Sequence, residues 1–280
     1  MSLEHLQPFA GQHAIQSAAF SADFSSELNL QEVEQLKTAA SGLKADFPNI
    51  VDQFRTTLSF SVNPAEQNQS APPPGAPSIG GFVLSRPSAE AVPGANLRQV
   101  LVSLKNVIII INDYTRWAKF TADIERYLGV LLKPINAQKG VASIGLQFTD
   151  AFTWNADPED LNLAEVFSIN TDYLVPSVFK RGVALWHSHH GYLLEQTNPV
   201  AFQQIENINV SHNLVNGNPQ LQILTSHKAT FRKPLYKVLD SNKEKISQIM
   251  DGMHRGNKTM LADLLTAEVQ NKINLNSLGG

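Results

Sequence analysis

Histidine is the residue type in this chain best spaced to do chemistry. Trp186-His187-Ser188-His189-His190-Gly191 lies in a run with strand character, so His187 and His189 should project from one face. Two imidazoles on one side of a strand make a two-ligand start for zinc or iron. The two strands that follow are joined by Asn216-Gly217-Asn218-Pro219, a tight-turn signal. Centring the turn there puts Ile208, Val210, His212 and Leu214 on one surface with Leu221, Ile223, Thr225 and His227. His187, His189, His212 and His227 are thus the candidate metal ligands of a hydrolase. No carboxylate stands at a fixed motif spacing; Glu195 and Glu206 are loosely placed. The His-Ser-His opening is shared with zinc isopeptidases, but their motif continues through Pro and Ser-x-x-Asp, where this chain has His190-Gly191-Tyr192-Leu193. The competing expectation is that these histidines are half-buried and hydrogen-bonded in a core.

Other patterns carry less chemistry. Asp150, Asp157, Glu159 and Asp160 form an acidic cluster with Mg²⁺-ligand chemistry, although a solvated helix start explains three of them. Lys228, Arg232 and Lys233 offer contacts to a phosphate backbone, or a charged strand edge that resists pairing. Pro72, Pro73, Pro74 and Pro77 lie in a stretch with almost nothing to bury, residues 63–78, which reads as an exposed loop and a candidate ligand for a partner's aromatic groove. The glycines between Gly75 and Gly81 lack the Lys of a phosphate loop, and no Gly-x-Ser-x-Gly elbow occurs.

Composition narrows the classes further. With 280 residues, 42% of them hydrophobic, the chain can bury a large core. A formal net charge of -3 disfavours a general nucleic-acid binder. There is no cysteine, so disulfides, thiolate metal sites and cysteine catalysis are excluded. The longest apolar run, Val107 to Ile111, is too short to span a membrane, and Met1 to Phe9 lacks the apolar core of a secretory signal. A cytoplasmic location is the resulting expectation.

The elements that must position these residues can be read in order. Ala14 to Phe24 alternates as a strand, and Asn29 with Glu32 forms a capping box before a helix stripe of Leu30, Val33, Leu36, Ala40 and Leu43. Strands are expected at Thr56 to Val62 and Gly80 to Ser85. Val100 to Ile111 reads as one central strand covered on both faces, interrupted only by Ser103, Lys105 and Asn106. Asn112-Asp113 should cap the next helix, with Tyr114, Trp117, Phe120, Ile124, Leu128 and Leu131 inward and Arg116, Lys119, Asp123 and Arg126 outward. A strand then runs from Val141 to Phe152. Three strands near Val183 to Leu194, Gln204 to Leu214 and Leu221 to Phe231 precede a helical stripe from Ile246 to Val269, with a break expected at Gly252 or Gly256.

These features resemble a sporadically distributed, uncharacterised family of bacterial and archaeal proteins of about this length. The resemblance rests on His13-Ala14-Ile15 leading to Phe20 and Phe24, on Phe47-Pro48, on Tyr114-x-x-Trp117-x-x-Phe120, and on the Gly145-Leu146 strand. It brings no catalytic residues, and implies an accessory gene with phage defence as a setting. The reading is therefore α+β: a mostly antiparallel sheet with helices on one side, in two helix-plus-meander halves, 1–154 and 155–280, and a helical C-terminal segment. The expected role is a non-enzymatic protein-interaction or sensing module, a subunit or adaptor that binds a protein partner or itself. The metal hydrolase and the nucleic-acid factor stand as alternatives, and no cofactor is expected.

Overall fold

The alternation of apolar and polar residues that marks most of this chain builds one large antiparallel sheet. The computed structural model describes residues 3–55, 78–89, 95–180, 185–215 and 218–275. Its strands are β1 (Leu6–Pro8), β2 (Ile15–Phe24), β3 (Asn49–Arg55), β4 (Ser78–Pro87), β5 (Asn96–Ser103), β6 (Asn106–Ile111), β7 (Val141–Trp154), β8 (Trp186–Gln196), β9 (Phe202–Val215) and β10 (Asn218–Leu235). The order is β3-β4-β5-β6-β2-β7-β10-β9-β8, with β1 pairing the far end of β7. Every pairing is antiparallel. The helices are α1 (Leu30–Ala40), α2 (Trp117–Leu131), α3 (Leu163–Val166), α4 (Lys243–Leu264) and α5 (Ala267–Lys272). The α+β class with a mostly antiparallel sheet and a helical C-terminal segment is what the sequence patterns led us to expect.

One face of the sheet carries the core. Phe20, Ala22 and Phe24 on β2, Val107, Ile109 and Ile111 on β6, and Ile144, Leu146 and Phe148 on β7 are buried on it. They form one cluster with Val33, Leu36 and Ala40 of α1, Phe120, Ile124, Leu128 and Leu131 of α2, and Ile246 to Met253 of α4. Each large side chain buried there contributes about 1.5–3 kcal/mol before the entropy cost of ordering it. The cluster and the sheet both continue past residue 154. Trp117 ties α2 to α4: it stacks on His254 with ring centroids 4.2 Å apart and donates its Nε1–H to Asp251 Oδ1 at 2.8 Å.

Several local expectations are corrected. The run from Val100 to Ile111 is a tight hairpin, not one strand: the polar residues that seemed to interrupt it make the turn. Ser103 Oγ accepts from the backbone N–H groups of Lys105 and Asn106, each at 3.1 Å. Its burial alternates, so the hairpin is covered on one face only. The middle of the order is instead β2, next to the long β7 that lies between β2 and β10. The capping box at Asn29 and Glu32 forms as expected, but Leu30 faces solvent. Neither Asn112 nor Asp113 caps α2, which starts at Trp117. The acidic helix start is a single 3-10 turn, Pro158–Asp160. Helix α4 passes through Gly252 and Gly256 without a break. Strand β3 was not anticipated, whereas the expected strand at Thr56 to Val62 lies outside the described residues.

Asp113 and Asp123 serve a different purpose. Asp123, expected on the outer face of α2, is buried and accepts from Arg98 at 2.9 Å. Arg98 projects inward from β5, donating also to Asp113 at 2.8 Å and to the Tyr127 hydroxyl at 2.8 Å. Burial works against the charge on Asp123, but Lys119, Arg98 and Arg126 outweigh it and hold the carboxyl below its usual range. Removing one member of a buried ion network leaves the others charged and unpaired. Arg98→Met should therefore cost about 3–5 kcal/mol in urea unfolding. A loss below about 1 kcal/mol would mean that the network behaves like an exposed ion pair.

Candidate functional site

The four histidines do not meet. In the β8–β9 register His187 pairs with Ser211 and His189 with Asn209, whereas Trp186 pairs with His212. His187 and His189 therefore point to the open face of the sheet, and both are exposed. His212 and His227 do share the covered face. However, His212 pairs with Leu221 and His227 with Glu206, six residues away along β9. That offset is about 20 Å. Among the described residues no group of three or more His, Asp or Glu side chains is arranged to hold a metal ion.

The other candidates are also dispersed. Asp150 is buried on β7, while Asp157, Glu159 and Asp160 are exposed around the 3-10 turn, so the acidic cluster is not assembled. Lys228 is bound to Asp23 at 2.7 Å and Arg232 to Glu195 at 2.6 Å; Lys233 is exposed. Pro72, Pro73, Pro74 and Pro77 lie outside the described residues.

A different constellation does form between the sheet and α4. Strand β9 turns Phe202, Gln204, Glu206 and Ile208 inward, and β10 brings His227 opposite Glu206. Glu206 and His227 are 3% and 1% exposed. His227 Nδ1 bonds one oxygen of Glu206, and Gln204 Nε2 donates to the other. On its far side His227 Nε2 faces Asn257 Oδ1 of α4 at 3.4 Å. The two ring nitrogens of His227 thus face the Glu206 carboxylate on one side and the Asn257 side-chain oxygen on the other. The signal in the sequence was the placing of Gln204 and Glu206 on the face of β9 that also carries Phe202, Ile208 and Val210. Their partners came from three separate elements, which no spacing rule connects.

Above Glu206 opens a cleft of about 530 Å³. One wall is β8, through Tyr192, Leu194 and Gln196; the other is α4, from Gln248 to Met260. Tyr173 forms the lip. Its hydroxyl p Ka is raised by burial and by a hydrogen bond with Tyr192. His190 packs edge-on to Tyr173, at 5.9 Å between ring centroids.

Asp150 lies in a second, smaller cavity of about 100 Å³, lined also by His13, Tyr114, His254, Asn257 and Lys258. It is 2% exposed, and its Oδ2 has no hydrogen-bond partner. Burial pushes its p Ka up to about 7. The same burial lowers that of His13, whose Nδ1 also lacks a partner.

The raised p Ka of Asp150 has a definite consequence for stability. Between its ordinary value of 3.8 and about 7, the folded state holds a proton that the unfolded chain has released. Stability from this group is therefore full below 3.8, falls as pH rises, and levels off above 7, with a total loss of about 4 kcal/mol. Asp150→Asn should remove that slope, leaving the variant more stable than wild type at pH 8 in parallel urea titrations. Equal pH slopes for the two proteins would show that Asp150 is ionised in the fold. No family model and no curated protein matches the chain, so any role must be argued from this geometry.

Proposed function

We propose that the protein is a non-enzymatic interaction module that associates with a second copy of itself along the free edge of β8. The observation that carries this reading is that β8 ends the sheet with eleven residues and, among the described residues, has no strand on its outer side. Such an edge presents unpaired backbone N–H and C=O groups to any matching strand. Its exposed side chains are apolar as well as polar: Leu193 is 60% exposed, and Tyr192 and Leu194 are also open.

The strand is complementary to itself. Antiparallel pairing about a two-fold axis at Gly191, the midpoint of β8, keeps the two faces continuous. It sets His187 opposite Glu195 of the partner copy, twice by symmetry. It also sets His190 against Tyr192 and Ser188 against Leu194. Glu195 is suited to this because Arg232, then Gln203, hold its p Ka below the usual range, so it stays ionised. Gly191 at the centre sits close against β9. A Cβ there would lie 2.3 Å from Asn207 Oδ1, so the Asn207 side chain would have to shift, and 3.1 Å from the Glu206 carbonyl oxygen.

Light scattering coupled to size exclusion tests the proposal. Wild type should run as a dimer. Leu193→Lys, which sets a charge on an exposed edge position, should run as a monomer with unchanged thermal stability. His187→Glu, which opposes like charges at two symmetric sites, should weaken the dimer roughly ten-fold. A wild-type monomer at the highest soluble concentration would overturn the reading.

A further inference from the structure

We infer that the cleft between α4 and the β8–β9 hairpin is a binding site for a small molecule built on a sugar ring with adjacent hydroxyls. The inference does not rest on self-association. It starts from the two glycines of α4. Gly252 and Gly256 sit one turn apart on the wall of the cleft, in the interior of a 22-residue helix. Glycine weakens a helix interior relative to alanine. Neither position requires it. Both keep ordinary helical φ, since the positive-φ glycines are Gly11 and Gly81. A Cβ on Gly252 would meet nothing within 4 Å, and one on Gly256 would meet only Glu206 Oε1, at 3.9 Å. Packing and backbone geometry thus leave both glycines unexplained. What they do is keep a volume open and leave the Glu206 carboxylate facing it.

The chemistry of that volume selects the ligand. At about 530 Å³ it falls within the range of roughly 300–1,000 Å³ typical of small-molecule sites. The carboxylate at its floor, Glu206, is 3% exposed and has both oxygens engaged, by His227 and Gln204, and so is not free to ligate a cation. It offers a fixed hydrogen-bond acceptor to a hydroxyl instead. Around it stand Gln196, Gln204, Gln248 and Thr259, with the exposed Arg255 guanidinium in the α4 wall as a further donor, and these can pair with neighbouring hydroxyls. Tyr173 and Tyr192 bring aromatic surface against which the C–H face of a sugar ring can lie. The Asp251 carboxylate, also in the wall, is engaged by Trp117. Saccharides and nucleosides share the ring chemistry that this arrangement recognises.

Titration calorimetry on the full chain, with neutral mono- and disaccharides in one arm and the four ribonucleosides in the other, decides between the two sources. Saturable binding is expected in one arm. Gly252→Met, whose side chain enters open space in the cleft, should weaken that binding at least ten-fold. Its melting temperature should hold or rise by roughly 2 °C, because a better helix former replaces glycine. Gly256→Ala, a smaller filling next to Glu206, should give a weaker effect in the same direction. Leu193→Lys, on the opposite face of β8, should bind as wild type does, which separates this site from the pairing edge. Failure of every compound to bind, or equal affinity in wild type and Gly252→Met, would overturn the inference.

Discussion

One constraint governs the molecule: the sheet has a single apolar face, and whatever points into it must be apolar or be satisfied there. Strand β7 sets this up, because it is paired on both sides, by β2 and β1 along one edge and by β10 along the other. Its fourteen residues fix the register of both wings. Since side chains alternate with period two, the parity of each residue on β7 decides the parity of those opposite it on every neighbouring strand. The helices then have one surface to cover. α1 and α2 cover the wing from β4 to β2, while α4 crosses β7 and β10.

The same constraint makes the polar residues of the covered face informative. Arg98, Asp150, Glu206 and His227 are all inward, and each would cost several kcal/mol if buried charged and alone. Three of them are compensated. Arg98 has Asp113, Asp123 and Tyr127, and Glu206 has His227 and Gln204. Asp150 is the exception, and the shift of its p Ka towards neutrality relieves its burial in place of a partner. The compensated groups differ in turn. The Arg98 network lies between β5 and α2, whereas the Glu206 pair fronts an open cleft. Burial and charge are similar in the two places, so the open volume is what separates a structural network from a candidate site.

How much of this could be read from the sequence depends on whether the controlling physics is local. The capping box at Asn29 and Glu32 and the stripe from Ile246 to Leu264 were legible, because helix periodicity and end chemistry involve residues within one turn, whereas the break at Leu265–Thr266 that sets Val269 on a separate helix was not. The same-face placing of His212 and His227 was legible from the period-two alternation of strands on either side of a short turn. Their separation was not, because it depends on where along the strands each falls. The β5–β6 hairpin was hidden because Ser103-Leu104-Lys105-Asn106 lacks glycine; it turns by the Ser103 side chain bonding the backbone, and so passed for a flaw in one strand. The Glu206 site was out of reach. Its parts stand on β9, β10 and α4, at sequence distances that only the fold makes short.

Strand β8 shows why the two sides of one element have to be argued separately. Its inward residues, Tyr192 and Leu194, belong to the cleft wall, while His187, His189 and Leu193 belong to the open face. A reading that treats the histidines as a group mixes these two environments. Being last in the sheet, β8 is held laterally by β9 alone, over a register from Trp186–His212 to Gln196–Phe202. Its order therefore depends on that one ladder, on the Glu195 contacts with Arg232 and Gln203, and on the close seat of Gly191 against Asn207. Ordering this strand costs conformational entropy, and with Leu193 in solvent the described fold offsets little of that cost by burial along the outer edge.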